Sequence, residues 1–129
     1  MILSLAFLYT PLPPVALPEE FQGVWDQNTY ACSQAATPSR LAISKSKFMN
    51  GEFQGYATGF RRLNAKVIIA DMLGGRSKAT SPSLQRMELS DDGATLFVQS
   101  YPKPDRKVTA TAQVFVRCPD QEAAKEGLS

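Results

Sequence analysis

Residues 108–118 read VTATAQVFVRC, and their alternation decides the fold class. Val108, Ala110, Ala112, Val114, Val116 and Cys118 alternate with Thr109, Thr111, Gln113, Phe115 and Arg117. A period of two over this length describes a long strand with two distinct faces, not a helix. The even-numbered series is the more uniformly apolar, so it is expected to face the interior. Upstream, Pro102 and Pro104 break the chain. Residues 85–89 and 95–99 flank Ser90-Asp91-Asp92-Gly93-Ala94, where Asp92-Gly93 supplies the positive-φ positions of a β-hairpin turn.

Further outward the same signals repeat. Residues 40–45 alternate around Leu41 and Ile43, and Asn50-Gly51 marks a turn into a returning strand over 52–60. Gly55 and Gly59 in that strand allow a bend or a close approach. Val67, Ile68 and Ile69 form the centre of a more continuous apolar strand over 66–72, followed by a polar loop over 74–83. Adding residues 21–26 gives seven to eight strands with hairpin-type connections. This pattern predicts an all-β domain, a small antiparallel meander closing into a barrel. Residues 121–129 read as a short helix or a frayed end.

The length of 129 residues favours a single domain. Apolar residues at 43% and charged residues at 20% place it among globular proteins and exclude a charged disordered tail. The chain has no histidine. That removes Ser-His-Asp and Cys-His catalysis, histidine-based zinc sites and haem on a proximal histidine. Two cysteines cannot by themselves build a four-thiolate metal site. No metal or cofactor is expected.

Residues 1–16 read as a signal peptide: Ile2, Leu3, Leu5, Ala6, Phe7 and Leu8 are apolar, and four prolines follow by Pro18. Cleavage near Ala16 would leave a mature domain over 17–129. The basic residues that ordinarily precede such a segment are absent, the first being Arg40, as a start inside a longer reading frame would produce. Export makes a Cys32–Cys118 disulfide the expected state. The cysteines stand 86 positions apart, and chain entropy assigns a bridge of that span about 4–5 kcal/mol. A periplasmic or secreted location follows. No apolar run reaches the roughly 18 residues of a membrane-spanning helix.

Charge is uneven. Residues 40–78 hold eight Lys/Arg against Glu52 and Asp71, a net of +6 in a chain whose net is +2. Lys45, Lys47, Arg61, Arg62 and Lys66 are the candidate contacts to an anionic surface or an envelope protein. Nucleic acid is disfavoured, because no recognisable binding module is present.

Gly23-Val24-Trp25 resembles the opening motif of the calycin superfamily, which gathers lipocalins, fatty-acid-binding proteins and avidins. The resemblance implies a barrel whose Trp closes one end, with a basic residue from a late strand packed over it. Arg117 would be that residue, through a cation–π contact of about 0.5–2 kcal/mol. Gly23, Trp25 and Arg117 would then be structural. Residues 50–55, Asn-Gly-Glu-Phe-Gln-Gly, are similar to the second hairpin of avidins. Avidin biotin sites use several tryptophans and this chain has one, so biotin is not the expected ligand. Tyr30-Ala31-Cys32 with a late cysteine is similar to periplasmic inhibitors of C-type lysozyme, which implies a protein-binding alternative.

Catalytic patterns are poor. Ser44-Lys45-Ser46-Lys47 matches Ser-x-x-Lys, but that chemistry needs the pair one helical turn apart, and a strand sends i and i+3 to opposite faces. Glu88, Asp91 and Asp92 are accounted for by the turn, and Asp26 and Asp71 stand isolated. The expectation is a non-catalytic, lipocalin-like carrier of a small apolar or amphipathic molecule. Its interior would be lined by Leu41, Ile43, Val67, Ile69, Val108, Ala110, Ala112 and Val114.

Overall fold

The computed structural model describes residues 13–76, 81–102 and 112–119. Eight strands run in chain order: β1 (Gly23–Asp26), β2 (Leu41–Ser44), β3 (Lys47–Asn50), β4 (Phe53–Asn64), β5 (Val67–Arg76), β6 (Ser81–Leu89), β7 (Thr95–Pro102) and β8 (Gln113–Arg117). Each pairs antiparallel with the next, and β8 pairs back onto β1, so the sheet closes as an up-and-down barrel. Closure removes the exposed edges that an open meander would present.

The turns follow from local chemistry. Gly51 (φ 60°) and Gly93 (φ 72°) supply left-handed backbone where β3 meets β4 and β6 meets β7. In the second turn Asp92 Oδ1 accepts from Ser90 Oγ (2.7 Å) and Ala94 N (3.0 Å). The β2–β3 turn instead places Lys45 at φ 41°, without a glycine. Ser44 therefore faces Lys47 across a hairpin, and the strand expected over 40–45 ends at Ser44. That hairpin adds β3, a strand with no separate signal in the sequence.

The inner face carries Trp25, Leu41, Ile43, Phe48, Ala57, Ile68, Ala70, Met72, Met87, Leu89, Leu96, Val98 and Phe115, joined by Leu17 and Phe21 from the N-terminal segment. Two expected faces are corrected here. Val67, although buried, and Ile69 pair with Glu88 and Arg86 on the face opposite Ile68 and Ala70, which join the core cluster. On β8, Phe115 is buried at 4% exposure while Val114 is 51% exposed. Both alternating series of β8 carry apolar groups, and the bulkier one fills the barrel. Ala112 is exposed, and Val108 and Ala110 lie outside the described residues.

The strands cross the barrel between two unlike ends. At the closed end a 3-10 turn, Glu19–Phe21, lies under the strands, with Val15 N donating to Ala57 O (2.9 Å) and Leu17 N to Lys45 O (3.0 Å). The expected mature start at Leu17 falls within this packed segment. The other end stays partly open. There Gly55 pairs with Gly74, and their backbones approach so closely that a Cβ on Gly74 would stand 2.6 Å from Gln54 O and from Gly55 Cα. A register shift between Ala57 and Gly59 then bends β4.

Candidate functional site

Trp25 is fully buried, and its Nε1 donates to Phe21 O (3.2 Å). Arg117 is its register partner on β8, and the guanidinium carbon lies 4.1 Å from the indole centroid. Arg117 also donates to Glu20 O (2.7 Å), Gln22 O (3.0 Å) and Gly93 O (3.2 Å). One side chain thus ties the 3-10 turn, the β6–β7 turn and the last strand together. Burial lowers its pKa.

On the outer wall, the connection from β1 to β2 contains a short helix, α1 (Thr29–Cys32), capped by Asn28 Oδ1 accepting from Ala31 N (2.7 Å). Cys32 and Cys118 form the disulfide, with their Cα atoms 5.3 Å apart. Asp26 is not isolated, contrary to expectation. It accepts from Thr37 Oγ1 (2.6 Å), Ser39 Oγ (2.6 Å), Gln27 N (2.8 Å) and Arg40 Nε (3.2 Å). Arg40 in turn donates to the carbonyls of Ala31, Gln34 and Ala35. Burial raises the carboxyl pKa, but the hydroxyl, amide and guanidinium donors outweigh it, and the net direction is down. Asp71 also takes part in an interaction.

The basic block is divided by the fold. Arg40 is spent on Asp26, Arg76 stands at the open end, and Lys78 is outside the described residues. Lys45, Lys47, Arg61, Arg62 and Lys66 do gather around the closed end, where Phe60 and Leu63 are exposed. Glu19, Glu20, Asp91 and Asp92 share that rim. Arg62 Nη2 donates to Glu20 Oε1 (2.6 Å), holding the Glu20 carboxyl below its usual range. The rim is a mixed-charge surface, which weakens its fit to an anionic one.

The open end holds a cup of about 170 Å³. Leu41, Phe48, Val98 and Phe115 form its buried part, and Phe53 meets Phe48 edge to face at 6.2 Å. Asn50, Gln85, Ser100 and Gln113 add hydrogen-bonding groups, and Arg76 stands exposed at the mouth. Asn50 Nδ2 donates to Ser39 O and Arg40 O (both 3.1 Å), which fixes that amide. Ser100 Oγ donates to Gln85 Oε1 (2.8 Å), leaving the donating Nε2 as the other end. Seven strands, β2 to β8, contribute to this lining.

Among the described residues expected to line an interior, Leu41 alone lines the cup; Ile43 belongs to the packed core, and Val108 and Ala110 lie outside the described residues. Ala57, Ile68, Met72 and Met87 likewise belong to the core and take no part in the lining of the cup. Sequence reading missed Asn50, Gln85, Ser100 and Gln113, because polar residues at strand positions are assigned outward by default. Among the described residues there is no group of three or more His, Cys, Asp or Glu able to hold a metal. None of their helices is long and apolar enough to cross a membrane.

The fold and site together define a closed, eight-stranded antiparallel barrel with one plugged end and one cupped end. Comparison with protein-family models, curated proteins and solved structures gives no match.

Proposed function

We propose that this protein is an exported, non-catalytic binding protein that holds a small amphipathic molecule in the open end of a calycin-like barrel. The observation that carries the reading is the cup itself, whose lining combines buried apolar groups with a few hydrogen-bonding groups. Small-molecule sites have this composition, an apolar surround with a few placed polar groups. At about 170 Å³ it is smaller than typical drug-sized pockets, which narrows the ligand to something near one ring in size. The plugged end, with Arg117 over Trp25, supports the calycin likeness. The disulfide supports an oxidising compartment.

Native mass spectrometry on protein taken from its own cell envelope tests this. An added mass of one to a few hundred daltons, present natively and lost on denaturation, is the expected result. A bare native mass, together with no thermal stabilisation by any small amphipathic compound, would overturn it. A protein-binding module is the second reading, favoured by Tyr30, which is 74% exposed on α1 beside the disulfide. Co-purification of a protein partner, abolished by Tyr30→Ala, would identify that case.

A further inference from the structure

Resting on that reading, the composition of the cup narrows its ligand further. Among the described residues ten line it, and Arg76 is the charged one of these. Among the described residues, no carboxylate lines the cavity and Arg76 forms no ion pair. Ser100 Oγ donates to Gln85 Oε1, so the other group of that amide is a donor. A cation among described lining residues that include no carboxylate favours anions over ammonium groups.

The buried part has a different character. Phe48, Phe53 and Phe115 present aromatic surface, with Phe48 and Phe53 already arranged edge to face. A planar ring fits such walls through the same offset or edge contacts. A cavity of about 150 Å³ accommodates benzene elsewhere, so about 170 Å³ leaves space for one ring and a small head group. A long acyl chain exceeds this space, and Ile43, Ile68, Met72 and Met87 close the way beneath it.

We infer that the cup binds a single-ring aromatic monoanion, its ring among Phe48, Phe53 and Phe115 and its anionic head at Arg76. The head group is a carboxylate or a chemically equivalent anion.

Titration calorimetry with benzoate, benzyl alcohol, benzylamine and decanoate separates the alternatives. Benzoate is expected to bind most tightly, exceeding benzyl alcohol by about fivefold or more, a margin suited to a solvent-exposed guanidinium. Raising salt should shrink that margin. Arg76→Gln should bring benzoate down to the level of the alcohol without moving the unfolding midpoint, and Arg76→Lys should retain part of the preference. If benzyl alcohol or benzylamine equals benzoate, or if decanoate exceeds it, the anion assignment fails while the carrier reading stands. If benzoate leads but Arg76→Gln keeps the margin, the role given to Arg76 is wrong. Binding of none of the four, with a bare native mass, defeats both.

Discussion

Asp26 keeps a negative charge on a side chain with no exposed surface, and four donors make that tolerable. Removing one partner of such a pair strands the other, at a cost of about 3–5 kcal/mol when both are buried. Arg40 retains some exposure, so Asp26→Asn is expected near the lower end, measured by urea unfolding. The pH dependence follows from the downward direction of the Asp26 pKa. Its contribution is complete above the unfolded carboxyl value, 3.8, and disappears as pH falls through the lower folded value. Acid unfolding of the Asn variant should therefore show a shallower slope below about pH 4. Arg117 acts at the same scale. Arg117→Ala removes a cation–π contact and hydrogen bonds to three carbonyls, with an expected loss of about 2–4 kcal/mol by the same assay.

At the scale of elements, the Gly55–Gly74 pair sets how closely β4 and β5 approach beside Phe53. A methyl group at Gly74 meets backbone atoms, which cannot swing aside as a side chain tip could. Gly74→Ala is expected to destabilise by about 1–3 kcal/mol, and loss of cup binding should accompany it in calorimetry. Most strands were legible because Asn50-Gly51 and Asp92-Gly93 announce their turns through positive-φ residues. β3 was hidden because Lys45 adopts that conformation without being glycine or asparagine. The facing of β8 was misread because valines alternate against a phenylalanine, and only packing against Leu96 chooses between them. The Asp26 cluster was illegible for another reason: its partners Thr37, Ser39 and Arg40 arrive through a loop whose path no periodicity records.

For the whole molecule, one core serves both ends, since Leu41, Phe48, Val98 and Phe115 belong to it and also line the cup. Trp25 is the only tryptophan in the chain and is fully buried, so its emission should be blue-shifted when folded and move red on unfolding. Occupancy of the cup should raise the unfolding free energy by about 2.7 kcal/mol at a hundredfold excess over Kd. Replacing Cys32 and Cys118 together by serine is expected to cost about 2–5 kcal/mol in the same unfolding measurement.

The seam between β1 and β8 has a temporal consequence. Trp25 and Arg117 meet across most of the barrel's sequence, from its first strand to its last, and the disulfide spans that same seam. Contacts so far apart in sequence form slowly, because the intervening chain must first be ordered. While the polypeptide is being made, β1 has no partner on that side until residue 117 has emerged. Its neighbour β2 is already available by then. A barrel with this wiring stays unzipped until β8 has been made, and the Cys32–Cys118 bridge records that the last strand has arrived.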